Sequence, residues 1–150
     1  MNFEVRNINE KDIEYGGFLE VLNVLAPLGN LSKPAAKKIL NQILSNLLHR
    51  VFVAVIKGGG HDGLVIGTST LFVEPKFIFE GGRVGHIEDV AVRIGYQGQG
   101  VGFELVKYAT TAAASMGCVR SVLDCSTENM GFYEKLGYSR FGNCMKIEHK

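Results

Sequence analysis
The sequence predicts an α+β protein, a mixed β-sheet with helices on its faces that also answers to the α/β label. Three observations predict it. Short runs of strand length are either alternating or wholly apolar, and two segments repeat apolar residues at helical spacing. The order is strand, two helices, an antiparallel run with tight turns, then a strand–helix–strand crossover. The length of 150 residues suits one domain, 1–150, with a real core.

Phe3–Ile8 alternates apolar and polar residues and reads as the first strand. Glu10–Tyr15 opens a helical region that continues through Phe18, Leu19 and Leu22. Pro27 and Gly29 break it into a loop over Ala26–Asn30. Ser32 is the expected N-cap of the next helix, with Pro34 in its first turn. That helix is expected to reach about Leu48, carrying Leu40, Ile43, Leu44 and Leu47 at helical spacing. Arg50–Lys57 is an apolar strand, Gly58–Gly63 a hairpin turn, and Leu64–Val73 the returning arm. Lys76–Gly82 is a loop, and Arg83–Val92 the next strand. A helix follows over Phe103–Met116, then a strand over Cys118–Cys125. Asn129–Leu136 is a short helix closed by Gly137 in the C′ place. Tyr138–Ile147 is expected to be a last strand or pair of strands.

The net charge of +1 argues against a nucleic-acid binder held by a basic face. No apolar run is long enough to span a membrane, and the N-terminus lacks the order of a signal peptide. Cys118, Cys125 and Cys144 are odd in number and show no Cys-x-x-Cys spacing, which suits reduced thiols in the cytoplasm. His49, His61, His86 and His149 show no ligand spacing, so no metal is expected.

The most informative stretch is Gln97-Gly98-Gln99-Gly100-Val101-Gly102, between a strand and a helix. Glycines let main-chain N–H groups approach a ligand, and the helix start adds positive potential. The combination is an anion cradle, most simply for phosphates. A Walker A loop needs Gly-Lys-Ser/Thr, but Phe103 and Glu104 follow Gly102. A Rossmann fingerprint fails because Phe103 or Leu105 holds the place of its third glycine. What fits is Gln/Arg-x-x-Gly-x-Gly/Ala, filled by Gln97, Gly100 and Gly102. This resembles the pyrophosphate-binding motif of the GNAT superfamily of N-acetyltransferases, which use acetyl-coenzyme A.

Further stretches resemble the glucosamine-6-phosphate N-acetyltransferase branch. They are Gly85–Val92 with its Glu88-Asp89-Val90, the loop Glu74-x-Lys76-Phe77-Ile78, and Asp124-Cys125-Ser126. Asn129, Phe132, Tyr133, Glu134, Lys135, Gly137 and Tyr138 complete the set. Two departures stand out. Ala26 replaces a family threonine, and the C-terminal arginine is missing near Met145–Glu148, leaving Lys146 or Lys150 to supply that charge, or nothing.

The resemblance implies a mostly antiparallel sheet splayed where acetyl-coenzyme A lies. It implies acetyl transfer to the amine of D-glucosamine 6-phosphate, for UDP-N-acetylglucosamine synthesis. The cofactor would be held by Val90, Ala91 and Val92, by Gln97 to Gly102, and by Asn129 and Tyr133. Tyr133 would be the general acid, against a plain core tyrosine; Asn129 reads equally as a pantetheine contact or an N-cap. Asp89 and Asp124 are the carboxylate candidates for meeting the amine, whose proton would go to water or to one of them. Lys76, Phe77, Glu88, Asp89, Val90 and Arg120 would bind the sugar phosphate. Glu88 and Asp89, adjacent on a strand, are expected to face opposite sides. His86 reads as a satisfied loop histidine or a sugar contact. The resemblance also implies a homodimer with a shared substrate site and an interlocked C-terminal strand, to which Phe141 and Ile147 would contribute. The rival readings are a related transferase acting on another small or protein amine, and a non-catalytic coenzyme A binder.

Overall fold
Five strands share one sheet in a computed structural model that describes residues 1–149. They are β1 (Phe3–Asn7), β2 (His49–Ile56), β3 (Val65–Pro75), β4 (Arg83–Val92) and β5 (Cys118–Val122), lying in sequence order. The helices are α1 (Glu10–Glu14), α2 (Phe18–Leu22), α3 (Lys33–Leu44), the single turn α4 (Ile78–Gly81), α5 (Val101–Ser115) and α6 (Met130–Glu134). β1 to β4 are antiparallel, whereas β4 and β5 are parallel. Parallel neighbours need a crossover, and α5 supplies it.

β2 is apolar from Val51 to Ile56 because both its faces are covered there. Val51, Val53 and Val55 join Ile13, Phe18, Val21 and Leu40 under α1, α2 and α3. Phe52, Ala54 and Ile56 join Leu71, Ile87, Leu105 and Ala109 under α5. Two glycines set the height of α5 over the sheet. A Cβ at Gly67 would stand 2.7 Å from Leu105 Cδ1, and one at Gly85 2.9 Å from Ala113 Cβ. Close packing leaves no slack for either. The start of α5 is thereby fixed beside the end of β4.

Several boundaries differ from expectation. The helical region over 10–22 is two helices, because Gly17 takes a left-handed φ of 73°. Arg93 locks that break by donating from Nη2 to Gly17 O (2.6 Å) and from Nε to Val65 O (2.8 Å). α3 begins as expected, with Ser32 Oγ accepting from Ala35 N–H. It stops at Leu44, because Ser45 Oγ donates to Gln42 O and Asn46 Oδ1 accepts from Leu48 N–H. The 76–82 loop contains α4, where Phe79 and Glu80 are left-handed. α5 starts at Val101, two residues early, so the last two residues of the glycine stretch form its first turn. β5 ends at Val122 rather than Cys125. A 3-10 turn, Thr127–Asn129, leads into α6. Gly137 closes it with φ 88°, and Tyr138 N–H returns to Tyr133 O at 3.1 Å, as a C′ glycine should allow.

The expected strand over Tyr138–Ile147 does not form among the described residues. A strand is held by a ladder, and this tail is tied to α5 and to the edge strand β5 through side chains instead. Tyr138 Oη and Thr110 Oγ1 are 2.6 Å apart, and the Phe141 ring lies 5.5 Å from the Arg120 guanidinium. Lys150 lies outside the described residues. Lys146 pairs with Glu148 at 2.7 Å on the surface. No helix among the described residues is long and apolar enough to cross a membrane.

Candidate active site
β4 and β5 pair only from Arg83 to His86, against Cys118 to Val122. β4 then runs on alone to Val92, so the sheet parts beyond His86. The gap opens on a cleft of about 1090 Å³ lined by Glu88, Asp124, Cys125, Tyr133 and Tyr138, among others. β4 also carries an extra residue against β3. Thr68 pairs with Ala91 and Thr70 with Glu88, so two steps on β3 match three on β4. This is a bulge, with Asp89 in a left-handed conformation (φ 50°). The bulge interrupts the regular period of two at Asp89; of the adjacent pair, Glu88 is among the residues lining the cleft and Asp89 is not. Asp89 and Val90 stand outside both ladders, leaving their backbone groups open to a ligand.

The glycine stretch follows. Gly98 and Gly100 take φ of 72° and 83°, and Gly100 is the N-cap residue of α5 without a side-chain cap. Among the described residues, no acceptor is found for the backbone N–H groups of Gln97 to Phe103. Gln99 Nε2 donates to Gly95 O at 3.1 Å and shapes the turn from outside. Unpaired amides at the start of a 15-residue helix, with Gln97 to Gly100 exposed, suit a diphosphate. The turn does not line the large cleft, but it adjoins it. A Cβ at Gly102 would lie 3.4 Å from Val92 Cγ2 and 3.5 Å from Phe132 Cζ. The end of β4, the turn and α6 therefore meet, with Tyr133 one residue on.

Tyr133 is half-buried, its ring edge-on to Phe132 (4.9 Å) and Tyr138 (6.1 Å). Burial, then the neighbouring Cys125 and Tyr138, push its phenol above the ordinary value. A proton is therefore retained there at neutral pH. Asn129 occupies the N-cap position of α6, as one of its two readings expects, but makes no capping bond from its side chain. Glu88 is raised above the ordinary carboxylate value by burial, then by Asp124 and Asp89. These three carboxylates share one neighbourhood, and a cationic amine would relieve their repulsion. Asp124 accepts a hydrogen bond from the Cys144 thiol at 3.1 Å.

On the sugar-facing candidates the outcome is mixed. Lys76 Nζ is 2.6 Å from Glu74 Oε1, so its charge is already engaged. His86 lies on β4, not in a loop, and its Nε2 is 2.9 Å from Glu74 Oε2. Phe77 is fully exposed. Arg120 lines the cleft between Phe79 (4.6 Å) and Phe141 (5.5 Å), a cation held by two rings. Glu74, Tyr138 and Cys144 were not singled out as site residues from sequence. Glu74 and Lys76 are two residues apart at the end of β3, and Cys144 carries no signal pointing 20 residues back to Asp124.

A sequence model described as "Acetyltransferase (GNAT) family" matches residues 25–138. The chain belongs to the acetyltransferase (GNAT) family. This GNAT chain is 40% identical over 127 residues to the glucosamine 6-phosphate N-acetyltransferase of Candida albicans, covering 83% of this chain and 82% of the relative. It is 38% identical over 150 residues to the enzyme of that name from Trypanosoma brucei brucei, covering 99% and 97%. The crystal structure of glucosamine-6-phosphate N-acetyltransferase from Arabidopsis thaliana superposes over 100% of both chains, with a TM-score of 0.93 and 30% identity. The mixed, open five-stranded sheet with its helices is thus a GNAT fold, and the expected fold class holds.

Proposed function
We propose that this chain moves the acetyl group of acetyl-coenzyme A to the amine of D-glucosamine 6-phosphate. The products are N-acetyl-D-glucosamine 6-phosphate and coenzyme A, made by direct transfer in a ternary complex during UDP-N-acetylglucosamine biosynthesis. One observation carries the reading: relatives of that name match nearly end to end, and the Trypanosoma brucei brucei enzyme covers 99% of this chain.

The unpaired amides of Gln97 to Gly102 fit the cofactor's diphosphate. Acetyl-coenzyme A supplies an activated thioester when bound. The backbone of Val90, Ala91 and Val92 holds the pantetheine end, and Val90 N–H stabilises the oxyanion. Asn129 holds the pantetheine arm. Tyr133 keeps a proton for the departing sulfur. Glu88, Asp89 and Asp124 attract the amine, and Asp89 or Asp124 takes its proton. Lys76 and Arg120 bind the phosphate, Lys76 by exchanging Glu74 for it. Phe77 shapes the sugar end. Exposed Phe77, Phe141 and Ile147 support a homodimer with a shared substrate site. Three free thiols suit the cytoplasm.

The Lys76–Glu74 pair favours a second reading, an acceptor amine without a phosphate. Thiol release measured with glucosamine 6-phosphate, glucosamine and polyamines separates the two. The phosphorylated sugar is expected to be fastest; equal rates with glucosamine would refute the sugar-phosphate reading. Arg120→Ala is expected to raise the KM for glucosamine 6-phosphate roughly 10- to 100-fold. It should leave the slow reaction of glucosamine unchanged.

A further inference from the structure
We propose that Cys144 is a positioning residue for Asp124, its thiol holding the carboxylate where the acceptor amine meets it. The inference rests on the reading that Asp124 meets the amine. Asp124 lies two residues past the end of β5, so no ladder fixes it. Its one side-chain hydrogen-bond partner among the described residues is Cys144 Sγ, 3.1 Å from Oδ2. The tail that brings Cys144 there is anchored first by Tyr138 on Thr110 and then by Phe141 on Arg120. Asp124, Cys144, Tyr138, Thr110, Phe141 and Arg120 all line the same cleft as Glu88.

The chemistry suits the task. A thiol gives a single donor, so one carboxylate oxygen is steadied while Oδ1 stays open to an ammonium group. Asp124, and more weakly Glu88, keep the thiol protonated, so Cys144 is the donor and Asp124 the acceptor at neutral pH. Serine can make the same bond; alanine cannot.

Steady-state kinetics and alkylation test this. Cys144→Ala is expected to lower kcat/KM for the amino sugar roughly tenfold, with the KM for acetyl-coenzyme A unchanged. Cys144→Ser should restore most of that loss, which a purely structural defect at the tail would not predict. In an Asp124→Asn background, Cys144→Ala should add nothing further. Independently of activity, iodoacetamide should label Cys144 faster in Asp124→Asn than in the parent, read by mass spectrometry, because the carboxylate no longer disfavours the thiolate. Parent-like kinetics for Cys144→Ala, or unchanged labelling in Asp124→Asn, would overturn the proposal. Absence of acetyl transfer by the parent chain itself would instead strike the functional reading, while the labelling comparison would still report on the Cys144–Asp124 bond.

Discussion

Tyr133→Phe is expected to lower kcat by roughly 10²- to 10⁴-fold, the range of a lost general acid, with the KM for acetyl-coenzyme A near its parent value. The ring remains, so its packing against Phe132 and Tyr138 is kept. Only the proton donor goes. The sign of the pH dependence follows from the raised phenol pKa. Burial disfavours the phenolate, so the acid form persists to a pH above the ordinary tyrosine value, and activity should fall only beyond it. The variant should lack that alkaline limb. A thioester with a more acidic thiol needs less help in leaving, so it should narrow the gap between variant and parent. Were Tyr133→Phe to match the parent in kcat, Tyr133 would be a core residue and nothing more.

The largest expected effect on stability lies far from the cleft. Arg6→Ala is expected to cost about 3 kcal/mol, the lower end for breaking a buried ion pair. Asp12 is only 2% exposed, and both its oxygens accept from Arg6, each at 2.8 Å. Asp12 Oδ2 also accepts from Asn9 N–H at 2.8 Å, so the same carboxylate caps the start of α1. Removing Arg6 strands a buried charge. The lower end is chosen because the Arg6 side chain is 31% exposed and its loss lets water in. For a chain of this size the melting temperature should drop by roughly 6–12 °C. Arg6→Met with Asp12→Leu should be less damaging than Arg6→Ala alone, because no unpaired charge is left. Calorimetry on both variants checks the pair; an unchanged Tm in Arg6→Ala would show that the carboxylate finds other solvation.

Part of the candidate site is legible in local chemistry. Gln97, Gly98 and Gly100 declared the amide-rich turn, because left-handed positions and close approach ask for glycine. Tyr133 and Gly137 marked a short helix and its end through local chemistry alone. The sequence marks Lys76 as a phosphate-binding candidate but does not record its pairing with Glu74, because Lys76 lies just past the end of β3. The bulge at Asp89 was not legible, since one inserted residue changes register against β3 without changing composition.

What the sequence determined by itself was the order of the five strands and of the helix between the last two, the apolar run of β2 and the glycine turn between β4 and α5. These follow from periodicity and turn chemistry, which act between near neighbours along the chain. The tertiary structure alone decided the bulge that frees the backbone of Asp89 and Val90, the engagement of Lys76, and the side-chain ties that replace a terminal strand. It also brought Cys144 to Asp124, 20 residues apart in sequence. Such contacts depend on how distant segments are brought together around a packed core, and no local preference along the chain records that meeting.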